Sequence, residues 1–298
     1  MDPGLRRSFA DPSLGPRLFD LLDTVFPGLA ERAQAAGALG FRWEDVSTPF
    51  VLLDGDTAVS HVGVIEMPLV LAGRRVPVGV IHGVATHPGF RGRGLFRRVM
   101  QAALHHCDAR YETLVLCTAQ PELYEPFGFR VVQEHVFTAS VAPRRGSAGF
   151  RELRLDASDD LGRLRRLLAE RAPVSDRVGV VETGVVFVFN ELTRPLHYAE
   201  DLDVIASLEV DGGTLRLFDL VGRTLCPLAA VLERLATPVT RVNIYFSPDR
   251  LDVAARPSPH VLMDDPGAPG GEGRSVLAVR GAFAPEAQPF MLPRPARC

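Results

Sequence analysis

The chain has 298 residues, 46% of them hydrophobic, which is enough for one large or two ordinary domains with full cores. Its net charge is only −3 and its basic residues, all arginine, are spread along the chain, which excludes an obvious nucleic-acid or anionic-membrane surface. No apolar run reaches the roughly 18 residues of a membrane span, and the N-terminus lacks the apolar core of a signal peptide. We therefore expect a cytoplasmic protein, and no metal site, because metal-ligand spacing is absent from Cys107, Cys117, Cys226 and Cys298.

Helical spacing of leucines predicts two helices within residues 16–36, separated by a turn at Pro27-Gly28. Such a pair could form one wall of an acceptor pocket, although core packing explains the leucines equally well. Trp43 and Glu44 follow, where the only tryptophan lies beside a carboxylate. This pair suits either a substrate contact or ordinary packing.

Three strands are predicted next, over residues 50–53, 58–71 and 76–86. A two-residue turn centred on Gly73 and Arg74 would join the last two strands. In that register Ile65 would pair with His82, and Glu66 with Ile81. Because paired residues share a face, His82 and Glu66 would point to opposite faces of the sheet, unless a bulge intervenes.

A loop rich in arginine and glycine follows the third strand and opens into an amphipathic helix from Leu95. Gly92 and Gly94 let the backbone approach a ligand closely, so the unpaired N–H groups at the helix start can point at an anion. Arg91 and Arg93 add positive charge. The loop is typical of a pyrophosphate site, the alternative being an arginine-rich surface turn. A dinucleotide-binding loop is disfavoured because its third glycine is replaced by an arginine.

A strand at residues 113–118 and the sequence Tyr124-x-x-Phe127-Gly128-Phe129 follow the helix. Together with the Arg91-x-x-Gly94 loop, this order resembles the GCN5-related N-acetyltransferase (GNAT) family over roughly the first half of the chain. Phe96 stands where the family usually has glycine or alanine. In this respect the chain resembles the branch of the enhanced intracellular survival acetyltransferases.

The resemblance implies an α/β fold with a mixed α+β sheet, the acetyl-CoA N-acyltransferase fold, and an acyltransferase activity. An acetyl group would pass from acetyl-CoA directly to a primary amine of a small molecule or peptide. The pantetheine would pair with the strand, and the pyrophosphate would bind the loop amides. The implied cofactor-binding residues are Val84, Ala85, Thr86, Arg91, Gly92, Arg93, Gly94, Leu95 and Phe96.

The resemblance also assigns Tyr124 as the acid that protonates the departing CoA thiolate, although its ring could instead simply pack beside its aromatic neighbours. The amine needs a base, because an ammonium has no lone pair. His82 has a suitable ordinary pKa near 6.5, whereas Glu66 would need burial to raise its pKa. Either residue could instead be structural. In the survival-protein relatives the terminal carboxylate can serve as base, which makes Cys298 a further candidate, although this chain lacks their additional C-terminal domain.

The remaining sequence predicts a second unit, dividing the chain into residues 1–142 and 150–298. Its elements run strand, helix, strands, helix, strand, and weakly repeat the first half, but the junction at residues 219–227 has no glycine-arginine loop. We expect a degenerate acetyltransferase-like domain without a CoA loop. A proline- and glycine-rich loop is predicted over residues 263–273. The alternative function is a noncatalytic acyl-CoA-binding regulatory or protein-interaction module, and a homo-oligomer is left open.

Overall fold

A computed structural model describes residues 4–143, 146–147, 149–182, 184–263 and 274–298. The loop predicted over residues 263–273 therefore lies, from residue 264 onward, outside the described residues. The helices are α1 Leu14–Val25, α2 Leu29–Ala38, α3 Leu95–Asp108, α4 Ser158–Glu170, α5 Gly184–Glu191 and α6 Leu228–Leu232. The strands are β1 Leu5–Arg6, β2 Ser47–Asp54, β3 Thr57–Leu71, β4 Arg74–Thr86, β5 Thr113–Thr118, β6 Arg130–Val132, β7 Glu134–Ser140, β8 Phe150–Glu152, β9 Val178–Val180, β10 Leu196–Ala199, β11 Val204–Asp211, β12 Thr214–Val221, β13 Arg241–Ile244, β14 Arg256–His260, β15 Leu262–Met263 and β16 Arg274–Gly281.

The first sheet has the order β1-β2-β3-β4-β5-β16-β15, with β6 paired to β16 and β9 to β3. Alternation along its strands gives it two apolar faces. The buried side of α3, which includes Val99, Met100 and Ala103, packs against one face. The buried leucines of α1 pack against the other face, on Val51 and Ala85.

The parallel strands β4 and β5 separate near the middle of this sheet. Their pairing runs from Val78 with Thr113 to Val80 with Val115. Both strands continue beyond these residues, to Thr86 and Thr118, but the described residues form no further pair between them. The end of β4 is therefore unpaired on its β5 side, and a wedge opens between the two strands.

The β3–β4 hairpin corrects the predicted register. Its turn is centred on Ala72 and Gly73, with φ of 50° and 77°, because two left-handed residues give the turn twist that suits a hairpin. As a result Gly63 pairs with His82, and Glu66 pairs with Gly79. The predicted partners were wrong by two residues. An even shift keeps each side chain on its face, so His82 and Glu66 do lie on opposite faces, as expected.

The second sheet has the order β14-β7-β13-β12-β11-β10-β8. Its parallel pair β12 and β13 is connected through α6, just as β4 and β5 are connected through α3. The fold class is therefore α/β with two mixed sheets, and the second layer is acetyltransferase-like. The two sheets also exchange strands across the predicted division at residues 142 and 150, because β7 joins the second sheet and β16 the first.

The C-terminal residues pack onto the body of the protein rather than trailing from it. Phe290, Met291 and Leu292 are all buried, as their apolar character predicts. The side-chain amide nitrogen of Asn190 in α5 donates to the backbone oxygen of Arg297 at 2.6 Å. The last residues are thereby held beside the wedge.

Candidate active site

A cavity of about 940 Å³ lies where β4 and β5 separate. Its walls are the end of β4, the loop into α3, the end of β5 with the turns that follow, the α1–α2 junction, α5 and the C-terminal residues. Strands of the first sheet, helices from both halves of the chain and the C-terminal residues therefore contribute to one site.

Eight of the nine predicted cofactor-binding residues line this cavity: Val84, Ala85, Thr86, Arg91, Gly92, Gly94, Leu95 and Phe96. Arg93 is not among its lining residues. The Arg93 guanidinium donates to the backbone oxygen of Gly89 at 3.3 Å and lies 4.7 Å from the centre of the Phe90 ring. Arg93 therefore supports the loop by contacts outside the cavity.

The loop backbone requires its two glycines. Gly92 and Gly94 have φ of 77° and 74°, in the left-handed region that favours glycine, and an added Cβ on either would meet no atom within 4 Å. Gly94 is the N-cap of the 14-residue helix α3. The first amides of a helix have no intrahelical acceptor, and the helix dipole is positive at this end. With Arg91 in the same wall, the loop can bind a polyanion.

A β-bulge shapes β4 where it enters the wedge. The register shifts between His61 and Gly63, and Gly83 adopts a φ of 55°. The Nδ1 of His61 donates to the Gly83 carbonyl at 2.6 Å, which fixes the hydrogen on Nδ1 and leaves Nε2 without a partner in the described residues. Burial lowers the pKa of His61 to about 4, although the bond to Gly83 opposes this effect. His61 is thus a neutral brace for the bulge.

His82 lies in the cavity wall with 5% of its surface exposed. Its Nε2 is 2.9 Å from the Ser47 hydroxyl, and the Trp43 ring lies 5.0 Å away, edge on. The pKa of His82 is lowered well below 6.5, first by burial and then by the neighbouring His61. The imidazole is neutral and able to accept a proton. Gly63 makes room for it, because a Cβ there would lie 2.2 Å from Nε2.

Glu66 lies outside the cavity. Its side chain is exposed, and its Oε2 accepts a hydrogen bond from the Tyr111 hydroxyl at 3.1 Å. Tyr111 follows α3, so Glu66 is on the face of the sheet opposite His82. The structure brings His82 and Tyr124 to one cavity and leaves Glu66 apart from them.

Tyr124 lines the cavity at the junction of two short 3-10 turns, Pro121–Leu123 and Glu125–Phe127. Its ring meets those of Phe96 and Phe129 edge on, at 5.8 and 6.2 Å. Burial raises the pKa of Tyr124 to about 12, and a hydrogen bond with the Thr118 side chain opposes the shift. The phenol is therefore protonated and able to donate. The Tyr124 ring also packs in the hydrophobic core beneath α3, which is the structural role that the sequence analysis considered for it.

Several cavity residues carried no motif in the sequence. Val25, Phe26, Leu29 and Arg32 line it from the α1–α2 junction, in agreement with the acceptor wall considered for this helix pair. Phe189, Asn190 and Thr193 line it from α5 and the residues after it, a helix that was not predicted. Three valines and two phenylalanines make up most of the eight-residue α5, so its sequence has no helical polar face.

The C-terminal residues close one side of the cavity. Arg297 and Cys298 both line it. The Arg297 guanidinium lies 2.6 Å from the buried Glu134 carboxylate. Burial lowers the pKa of Arg297, but Glu134 and Cys117 together outweigh burial, so the pKa is raised. Burial raises the pKa of the Cys298 thiol, which is therefore protonated.

Among the described residues there is no cluster of three His, Cys, Asp or Glu side chains arranged to hold a metal ion. In the same part of the chain, no helix combines the length and apolar character needed to cross a membrane.

Comparison with known proteins finds a family match within the first half of the chain. Residues 13–132 match the family model described as an acetyltransferase (GNAT) domain. No curated protein matches the chain.

Solved structures with a similar fold include acetyltransferases from several organisms. A GCN5-related N-acetyltransferase from Kribbella flavida is 19% identical, with a TM-score of 0.56 over 95% of this chain and 72% of that one. Eis1 from Mycobacterium abscessus is 15% identical, with a TM-score of 0.55 over 95% of this chain and 74% of that one. A GCN5-related N-acetyltransferase from Anabaena variabilis is 15% identical, with a TM-score of 0.53 over 93% and 72%. At these identities the likeness concerns the fold.

Proposed function

We propose, from the match of residues 13–132 to the GNAT acetyltransferase domain model, that the protein transfers an acetyl group from acetyl-CoA to a primary amine of a small molecule or peptide. One observation carries the proposal. The wedge between β4 and β5 opens into a 940 Å³ cavity that is bordered by the glycine-arginine loop, His82 and Tyr124. A donor site, an acid and a base thus share one space.

The donor binds along β4. Its pantetheine amides take the place that β5 leaves empty and pair with the backbone of residues 84–86, as an added strand does. The pyrophosphate lies on the amides of residues 92–96, where Arg91 supplies charge and Arg93 supports the loop from outside the cavity. Acetyl-CoA is a co-substrate, and no metal takes part in these contacts.

The acceptor amine loses a proton to His82, directly or through a water molecule. The imidazole is neutral, and Ser47 and Trp43 hold its ring. A lowered pKa makes it a weak base, best matched to an amine that is itself weakly basic. Glu66 is too far from the cavity to serve directly. The carboxylate of Cys298, which also lines the cavity, is the competing base.

Tyr124 donates to the sulfur that leaves. The amine nitrogen attacks the thioester carbon, the carbon–sulfur bond breaks, and the electron pair stays on the sulfur. The buried phenol stabilises this thiolate by a hydrogen bond and supplies its proton.

The second acetyltransferase-like layer binds no CoA of its own. The junction between β12 and α6 has no counterpart of the Arg91 to Gly94 loop. We expect one CoA per chain, with the second layer contributing α5 to the acceptor side of the cavity.

The test is release of the CoA thiol from acetyl-CoA in the presence of amines, with the acetylated product identified by mass spectrometry. Calorimetry on the same sample gives CoA affinity and stoichiometry. Amine-dependent thiol release and one CoA per chain are expected. Binding without any release would instead favour a noncatalytic acyl-CoA-binding module, and absence of CoA binding would overturn the donor site.

A further inference from the structure

The charges that line the cavity have one sign. Its lining side chains include five arginines, Arg32, Arg91, Arg97, Arg294 and Arg297, and within the described part of the chain no aspartate or glutamate. Apart from the backbone terminus at Cys298, nothing in this lining balances a cationic substrate. An arginine guanidinium stays protonated at every physiological pH.

Three of these arginines are accounted for by the proposed donor site or by an ion pair. Arg91 and Arg97 belong to the loop and first turn of α3, where the proposed donor brings its phosphates. Arg297 is balanced by the buried Glu134 at 2.6 Å. Arg32 and Arg294 belong to neither group.

Arg32 lies at the His82 end of the cavity. Its guanidinium is 5.5 Å from the centre of the Phe189 ring, that ring is 4.9 Å from Trp43, and Trp43 is 5.0 Å from His82. The strand between His82 and Thr86 spans about 13 Å, which separates this end from the pyrophosphate loop. The Arg32 charge therefore acts on the acceptor more than on the donor.

Apolar side chains also line this end, next to the polar Asn190 and Thr193. Val25, Phe26 and Leu29 contribute from the α1–α2 junction, and Phe189 contributes from α5. Stacking on Phe189 holds the Arg32 guanidinium in place. Arg32 and Arg294 each also keep a partner within the protein, and both add positive charge to the lining of the cavity.

We infer that, if the proposed acetyl transfer is correct, the acceptor is a monoamine that carries a carboxylate and an apolar side chain, of which an apolar α-amino acid is the simplest example. The carboxylate is held by Arg32, and the side chain lies on the wall formed by α1, α2 and α5, while Arg294, whose guanidinium lies 4.8 Å from the centre of the Phe218 ring, adds to the positive charge of the lining. Polyamines and aminoglycosides are excluded by repulsion.

The same charge helps the chemistry. A cation near the bound amine disfavours its ammonium form, so the amine releases its proton more easily. This matches the weakly basic His82, for which a fully basic alkylamine would be a poor partner. An α-amino group is less basic than a lysine side-chain amine, whose ordinary pKa is about 10.4, and therefore suits such a base better.

The test uses matched acceptors that differ by one carboxylate: phenylalanine against phenethylamine, and leucine against 3-methylbutylamine, with spermidine and kanamycin as polycations. The ratio of kcat/KM within each pair is measured for the wild type, Arg32→Gln and Arg294→Gln. Arg154→Gln is the control, since Arg154 is exposed and paired with Asp156 away from the cavity. CoA affinity is measured for each protein.

We expect the wild type to favour the carboxylate-bearing member of each pair by about 10- to 100-fold, the usual effect of a charged hydrogen bond. The ratio should fall about 10-fold or more in Arg32→Gln and stay within about 2-fold in Arg154→Gln. Faster transfer to the plain amines or to the polycations would overturn the inference while leaving acetyl transfer intact. No transfer to any carboxylate-bearing amine, or ratios that neither cavity variant changes, would also overturn it. If the wild-type protein did not bind CoA, the proposed function itself would be refuted.

Discussion

Replacing Tyr124 by phenylalanine removes one hydroxyl from the cavity and keeps the ring that packs on Phe96 and Phe129. Complete proton transfer from a phenol of pKa about 12 to a thiolate of ordinary pKa near 8.5 would be uphill by about 5 kcal/mol. The phenol therefore acts mainly by hydrogen bonding to the developing thiolate while its proton moves late. A hydrogen bond to a charged group contributes about 1.5–3 kcal/mol. We expect kcat to fall by about 10²-fold, the lower end of the range for a positioned acid.

The measurement is thiol release at saturating acetyl-CoA and acceptor, with CoA affinity and melting temperature measured in parallel. Affinity should be unchanged, and the melting temperature should fall by no more than about 4 °C, since one hydrogen bond to Thr118 is lost. Tyr111→Phe is the matched control, because its hydroxyl bonds Glu66 outside the cavity. It should keep the wild-type rate. A wild-type kcat in Tyr124→Phe would remove the hydroxyl from the mechanism, and a large loss of stability would show that its role is structural.

Three further outcomes follow from the same structure. Gly94→Glu should abolish CoA binding in calorimetry by placing a carboxylate at the pyrophosphate site, while Gly55→Glu, with a similar positive φ and open space but in the β2–β3 turn, should bind normally. The pKa of His61 is about 4 when folded against 6.5 when unfolded, so the unfolded chain takes up the proton first as the pH falls, and the free energy of unfolding should drop by up to roughly 3 kcal/mol between pH 6.5 and 4. Urea titrations of His61→Gln should show a smaller pH dependence, the part due to His82 remaining, and an unchanged pH slope would contradict the assignment. Asp219→Asn should cost about 3–5 kcal/mol in urea denaturation, because it strands the fully buried Arg171, whose guanidinium lies 2.7 Å from the carboxylate; a loss below 1 kcal/mol would refute that estimate.

The elements that local chemistry dictates were predictable. Valine-rich strands, the leucine period of α1 and the glycine-arginine loop each carry their signal within a few residues, and β5 begins and ends where its sequence predicts. The opposite placement of His82 and Glu66 followed from alternation alone. It survived the wrong hairpin register, because the error was an even number of residues.

What the sequence did not predict depends on distant contacts. The segment α5 is helical although five of its eight residues are valine or phenylalanine, because burial of Val186, Phe187 and Val188 in the tertiary structure outweighs their weak preference for strands. The insertion of β16 between β5 and β6 joins residues far apart in the chain, and no local pattern encodes such a pairing. The acceptor side of the cavity combines the predicted helix pair with α5 and the C-terminal residues, so the grouping of its arginines could be found only once the chain was folded.

A crystal structure of the protein grown with acetyl-CoA tests the central claim most directly. It should show one acetyl-CoA per chain, with its pantetheine paired to residues 84–86 between β4 and β5 and its pyrophosphate on the amides of residues 92–96. The thioester sulfur should lie within hydrogen-bond distance of the Tyr124 hydroxyl. A molecule bound outside the wedge, a second molecule in the other sheet, or a sulfur remote from Tyr124 would contradict the account.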